Sequence, residues 1–342
     1  MARRERVVVV FPGRGSYNGA ELGYLARHHA DRPELVGKLD AVVARRGGTP
    51  PSELDAAEKF SPATHLPGRN ASNLIHACAQ ADFAAIDRER FEIVAVCGNS
   101  LGWYLALAAA GAVSREGGAT IVDSMGDRMQ REAPGGQIIY PLTDDEWRID
   151  PERAALVERA VADTPEAYRS IDLGGMAVLA GTDEAIRALA ERLPQVDERF
   201  PMKLARHGAF HTPLMDEISA EALGALEPSL FGQAGVPLID GRGRVWTPGL
   251  YDTTDLHAYT FGHQIVRPYD FSASVAVAVK EFAPDRLILA GPGGSLGPPV
   301  AQALIALGWW DLVSRADFAA MQEHDPRVIA MGRDDQRAFA TS

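Results

Sequence analysis

The chain has 342 residues, 46% of them hydrophobic and 23% charged, a balance that excludes disorder as the dominant state and suffices for one large core or two modest ones. The formal net charge is -12, which argues against a nucleic-acid binder that works by neutralising phosphates. Cys78 and Cys97 are the only cysteines and form no CxxC pair, so neither a disulfide framework nor a structural zinc site is encoded, and a reducing cytoplasm fits.

In chain order, the first element is a β-branched run at 7–11 closed by Pro12-Gly13, the pattern of a strand buried on both faces of a parallel sheet. The run is too short for the apolar core of a signal peptide. Helical spacing follows at 21–32, 34–45 and 70–88, with Leu74, Ile75, Cys78, Ala81, Ala85 and Ile86 on one side of the last. Residues 91–97 read as a second buried strand, and 101–113 and 118–131 as helices. The stretch 101–113 is the longest uncharged apolar segment and falls short of the roughly 20 residues that cross a bilayer, so no membrane association is expected.

From 137 to about 206 the units shorten. Strands are expected at 137–142 and 176–181 and amphipathic helices at 151–162 and 183–193, an α+β insert. Short strands return at 236–240 and 287–290, separated by a helix around 272–282. The polar end from Arg333 is expected to fray, and no repeat of 20 to 50 residues is visible. The chain therefore reads as a discontinuous α/β domain, 1–136 and 206–342, interrupted by a small subdomain at 137–205.

Gly98-Asn99-Ser100-Leu101-Gly102 matches GxSxG, with a strand before it and a helix after it. Such a turn strains the Ser and exposes its Oγ, while flanking glycines allow close approach of the chain. The Leu101 N–H then lies at the positive end of the helix, where an oxyanion develops. Ser100 is the expected nucleophile. The base must come from nine histidines. His28 and His29 read as an exposed helix face, His65 and His324 as polar surface, and His76 and His257 lack a motif. The segment 206–215 is a loop entering a helix, which can aim a histidine at a fixed point. His207 and His211 have metal-like spacing, but Gly208 argues against a helix and no third ligand accompanies them, so no metal is expected.

Several segments together resemble the malonyl-CoA:acyl carrier protein transacylase family, the acyltransferases of fatty acid and polyketide synthesis. Phe11-Pro12-Gly13-Arg14-Gly15-Ser16 is similar to its N-terminal FPGQGS, GNSLG to its GHSLG elbow, and Gly208-Ala209-Phe210-His211-Thr212-Pro213-Leu214-Met215 to its catalytic-histidine segment. Gln264-Ile265-Val266-Arg267-Pro268 resembles the segment carrying its orienting Gln, and Gly291-Pro292-Gly293 its late GPG turn. The resemblance implies a large α/β-hydrolase-like lobe with a parallel sheet, an inserted small ferredoxin-like lobe, and an active site in the cleft between them. It implies Ser100 as nucleophile, His211 as general base and acid, the Gln264 carbonyl as its orienting group, and the Arg14 and Leu101 amides as the oxyanion hole. The implied reaction passes an acyl group from acyl-CoA through an acyl-Ser100 ester to the phosphopantetheine thiol of an acyl carrier protein, with no cofactor beyond these carriers.

The departures bear on the acyl group. Met125 stands where malonyl-specific members have an Arg, and leaving a buried carboxylate unpaired costs about 2 to 5 kcal/mol. Arg128 lies one turn away as a substitute, beside Asp127. Asn99 replaces a His and Trp103 a Glu, so with Phe210 these residues point to a reshaped pocket for a non-carboxylated acyl group. The rival readings are a malonyl transferase despite the lost Arg, a thioester hydrolase on the same Ser and His, an esterase using His324, and a non-catalytic scaffold. Gly13-x-Gly15 and Gly291-x-Gly293 fail the dinucleotide fingerprint at their sixth positions, Asn18 and Leu296. Carrier proteins of this pathway are typically acidic, so an acidic transferase is expected to gather Arg14, Arg206, Arg242, Arg244 and Arg267 around the cleft.

Overall fold

The computed structural model describes residues 3–341. Its strands, in chain order, are β1 (Glu5–Phe11), β2 (Phe91–Gly98), β3 (Gly136–Pro141), β4 (Ala167–Leu173), β5 (Met176–Gly181), β6 (Met202–Lys203), β7 (Leu238–Ile239), β8 (Val245–Trp246), β9 (Tyr269–Asp270), β10 (Arg286–Leu289) and β11 (Val328–Ala330). The large sheet has the order β11-β10-β1-β2-β7-β8, parallel throughout except for the β7–β8 hairpin. Val7, Val8, Val9, Val10 and Phe11 are all fully buried, as a central parallel strand covered by helices on both faces requires.

The register of β1 on β2 pairs Phe11 with Gly98. Both strands thus end at the same level, and the FPGRGS loop lies beside the GNSLG turn. The Asn99 amide donates to the Phe11 carbonyl at 2.9 Å, which locks the two loops together.

The second sheet has the order β6-β3-β5-β4-β9. With the helices Pro151–Ala162 and Asp183–Arg192, its first four strands form the split βαββαβ unit of a ferredoxin-like lobe over its own core, which includes Ile138, Tyr140, Val157, Leu179, Ile186 and Leu189. Strand β4 was not among the strands expected from the sequence, because Arg169 and Asp172 interrupt its apolar pattern; the two pair with each other on its half-buried side. Strand β9 comes from outside the insert and pairs in parallel with β4, so the smaller sheet extends beyond 137–205 and is hydrogen-bonded to the large lobe.

Several expectations need correction. The segment expected to fray is ordered over its described residues: Asp334–Thr341 is a helix, pinned by Arg337, whose Nη1 lies 2.8 Å from Oδ1 of the fully buried Asp82. His29 is buried, not exposed, with Nε2 2.8 Å from the same carboxylate. Tyr24 and the Gly291 amide also donate to Asp82, at 2.8 and 2.7 Å. Burial pushes the Asp82 carboxyl up, but His29, Arg337 and Tyr24 together hold it below the ordinary carboxylate range. His65 is likewise buried, bridging Ser61 and the Leu54 carbonyl. The pattern 21–32 yields only a short helix, Tyr24–His29. A polar tail and His29 look solvated in sequence because the buried carboxylate that recruits them is 50 residues or more away.

Breaking a buried ion pair costs about 3 to 5 kcal/mol. Arg337→Met should therefore lower the free energy of unfolding in urea by about that amount. A loss under about 1 kcal/mol would mean that the C-terminal helix is not anchored through Asp82.

Candidate active site

The turn between β2 and the helix Leu101–Ala109 holds Ser100 at φ 54°, ψ −109°, a left-handed strained conformation. The turn closes only because its glycines lack side chains. A Cβ on Gly98 would lie 2.3 Å from the Gly102 carbonyl oxygen, and one on Gly102 2.3 Å from that of Phe11. Ser100 Oγ lies 2.7 Å from Nε2 of His211, and Nδ1 of His211 lies 2.7 Å from the Gln264 backbone oxygen. A carbonyl can only accept, so Nδ1 carries the proton and Nε2 is the free base facing the serine hydroxyl.

The Gln264 carbonyl is available for a local reason. In a continuing helix its partner would be the N–H four residues on, but that residue is Pro268, which has none. A π-helical turn, Tyr259–His263, precedes Gln264, and the helix stops at Val266. The Gln264 side chain fixes the same segment to the elbow: Nε2 donates to the Ser100 carbonyl at 3.2 Å, and Oε1 accepts from the Tyr104 hydroxyl at 3.1 Å. Tyr269 packs against His211 at 5.4 Å between ring centroids and donates to the Gly98 carbonyl at 2.6 Å. Tyr104 and Tyr269 escaped the sequence reading because aromatic residues in apolar runs look like core; the spacing of Gln264 to Pro268 was the available signal.

The small lobe holds the histidine loop. His207 Nδ1 donates to Gln137 Oε1 at 2.7 Å, Gln137 donates to Ser170 at 2.7 Å, and Ser170 donates to the Phe210 carbonyl at 2.7 Å. That relay fixes the residue before His211, which itself sits at φ 60°.

A small cavity of about 40 Å³ lies over the pair. Ser100, Leu101, His211 and Gln264 line it together with Arg14, Met125 and Phe210, and Ser72 and Met129 add residues not anticipated. No residue of 137–205 is among those lining it, so the small lobe acts here by anchoring the loop. The Arg14 and Leu101 amides have no protein acceptor among the described residues, as an oxyanion hole requires.

Three expected pocket residues lie elsewhere. Asn99 packs under the FPGRGS loop, where a Cβ on Gly13 would meet its Nδ2 at 2.9 Å. Trp103 is fully buried behind the elbow, donating to Thr260 at 3.0 Å and meeting Tyr259 edge to face. Arg128 turns to Ser124 and Glu221 and does not line the cavity. Of the expected cationic rim, Arg206, Arg242, Arg244 and Arg267 are exposed, with Arg242 paired to the buried Asp240. Arg14 instead turns inward. Its Nη2 donates to the Arg206 carbonyl at 3.1 Å and the Leu66 carbonyl at 3.4 Å, and the guanidinium lies 5.7 Å from the Phe210 ring centroid.

A largely parallel sheet with an inserted βαββαβ lobe is also the fold of solved malonyl-CoA:acyl carrier protein transacylases. The Xanthomonas oryzae transacylase superposes with a TM-score of 0.76 at 20% identity, covering 100% of this chain and 98% of that one. The Synechocystis transacylase does so with a TM-score of 0.75 at 18% identity over 98% and 99% of the two chains. A transacylase solved with its type II polyketide acyl carrier protein gives 0.70 at 18% identity, over 87% and 93%. In sequence, the chain is 25% identical over 311 residues to mycoketide-CoA synthase of Mycobacterium tuberculosis and 27% identical over 237 residues to the polyketide biosynthesis protein ThaF of Burkholderia thailandensis. It matches 87% and 67% of its own length but spans only 7% and 19% of theirs. No family model matches the chain. The resemblance carried by the motifs is thus matched by the fold.

Burial pushes the His211 imidazole down to about 4, with the Gln264 carbonyl partly opposing, so the base stays neutral well into acid. The rate at which a fluorophosphonate labels Ser100 should stay flat from pH 8 to about 5, whereas a free histidine would lose half its base form near 6.5. His211→Ala should slow labelling by about 100-fold or more. His76 is also held down to about 4 and His207 well below 6.5, both chiefly by burial. The unfolded chain therefore binds more protons than the folded one below about 6.5. Stability should be insensitive to these groups above that pH and fall as pH drops toward 4, and His76→Leu should flatten part of that slope in urea titrations.

Proposed function

We propose that the protein is an acyltransferase that moves an acyl group from a coenzyme A thioester to the phosphopantetheine thiol of a carrier protein through an acyl-Ser100 intermediate. The observation that carries this reading is the continuous chain from Ser100 Oγ through His211 to the Gln264 carbonyl at the mouth of an apolar-walled cavity. In the first half-reaction Ser100 Oγ attacks the thioester carbonyl while its proton passes to His211 Nε2. The oxyanion is taken by the Arg14 and Leu101 amides, the carbon–sulfur bond breaks, and His211 returns the proton to the departing CoA thiol. In the second half-reaction His211 takes the proton of the carrier thiol, the sulfur attacks the ester, and Ser100 regains its hydroxyl.

The imidazolium formed at each step is stabilised by donating to the Gln264 carbonyl, a neutral group in place of the usual carboxylate. No metal or redox group enters these steps. The partner is expected to be acidic and to meet the exposed Arg206, Arg244 and Arg267.

Intact-mass measurement after mixing with acyl-CoA thioesters should show one acyl group on the wild type and none on Ser100→Ala. Adding a holo carrier protein should discharge that adduct onto the carrier. Release of free acid at the same rate with and without the carrier would make the protein a thioester hydrolase instead, and no adduct with any thioester would remove the catalytic reading altogether.

A further inference from the structure

Among the described residues, Arg14 is the one cation in the cavity lining. Its neighbours leave the guanidinium incompletely satisfied. Nη2 finds the two backbone carbonyls at Leu66 and Arg206, but Nε and Nη1 are shielded from solvent and have no partner. No carboxylate among the described residues offsets the charge, and burial alone pulls the group down to about 10. An unpaired buried cation with free donors is costly unless a ligand completes it. Much of the remaining wall is apolar, with Met125, Met129, Phe210, Leu101 and Ile265, and Arg14 is the only side chain in it that carries a full positive charge among the described residues. His207 feels the Arg14 charge and is held neutral chiefly by burial and then by Arg14.

We propose that the Arg14 side chain is the specificity residue of the acyl pocket, and that it receives a carboxylate at the far end of the acyl group, so that the preferred donors are thioesters of dicarboxylic acids. This rests on the acyl-transfer reading above and replaces the expectation of an uncharged acyl group, which follows when Met125 is considered alone. The guanidinium absent from position 125 on the helix Arg115–Glu132 is supplied by the loop after β1, from another part of the cavity wall. One residue then plays two parts: its main-chain amide faces the oxyanion and its side chain faces the remote end of the same acyl group.

Two measurements test this. With wild type and Arg14→Gln, initial rates of Ser100 acylation are compared for malonyl- and succinyl-CoA against acetyl- and propionyl-CoA. Using the ratio of carboxylated to neutral loading cancels any disturbance of the oxyanion hole. The wild type should favour a carboxylated donor, and Arg14→Gln should reduce the ratio by roughly 10- to 100-fold, as expected for charge-assisted hydrogen bonds. Arg14→Gln/Met125→Arg should restore it, which also guards against simple misfolding of the single variant.

The second measurement needs no chemistry. Binding of succinyl-CoA, propionyl-CoA and CoA to Ser100→Ala is measured by calorimetry, with and without Arg14→Gln. A carboxylate preference that disappears with Arg14 supports the proposal even if transfer to a carrier is not observed. Neutral donors loading as fast as carboxylated ones overturns it, and so does equal weakening of CoA alone, which would assign Arg14 to the donor's phosphates.

Discussion

A side chain on Gly102 would drive its Cβ to within 2.3 Å of the Phe11 carbonyl oxygen, so the elbow helix can pack on the end of β1 only with glycine there. Everything else at the site depends on that close approach. It sets the height of Ser100 above the sheet, and the pairing of Phe11 with Gly98 brings the FPGRGS loop alongside. The GPG turn supports the loop from behind, since a Cβ on Gly291 would lie 2.8 Å from Pro12 Cγ. The turn is in turn tied to Asp82 through the Gly291 amide. The buried Asp82 network and the active-site loop are thus successive layers of one packed assembly.

The second constraint is the supply of a free carbonyl. Helical carbonyls are normally consumed by the helix, and a histidine needs a fixed acceptor to hold one tautomer. Pro268 solves this by withholding an N–H, and Tyr104 and the Ser100 carbonyl hold the Gln264 amide so that its main chain cannot drift. The small lobe adds the histidine's other support through Gln137, Ser170 and the Phe210 carbonyl. Strand β9, two residues beyond Arg267, joins the small lobe's sheet and so ties this segment to that lobe, which limits how far the histidine loop can move from the elbow.

The α/β pattern and the Ser100 elbow were legible in the sequence because they depend on short-range rules, while His211 was singled out through the family resemblance. A β-branched run and a Gly-flanked Ser each act within a few residues of themselves. The pocket was less legible. Asn99 and Trp103 flank Ser100 in sequence yet face away from the cavity, because neighbours on a tight turn and a helix point in different directions. Met125 and Phe210 do reach it, and Arg128, one turn from Met125, is diverted by Glu221.

The residues alone carried the α/β pattern and the strained elbow, since backbone sterics are properties of local residues, and the resemblance of the motifs added His211 and Gln264. Where the charges go depended on the closed fold. Arg14 looked like part of a surface rim and proved to be an inward guanidinium without a counter-ion, while His29 and the polar C-terminus looked solvated and proved to be bound around Asp82. The physical reason is that a charged side chain's state depends on which distant groups share its low-dielectric surroundings. Residues far apart in sequence, such as Arg14 with Leu66 and Arg206, or Asp82 with Arg337, become neighbours only when the sheet and its helices close.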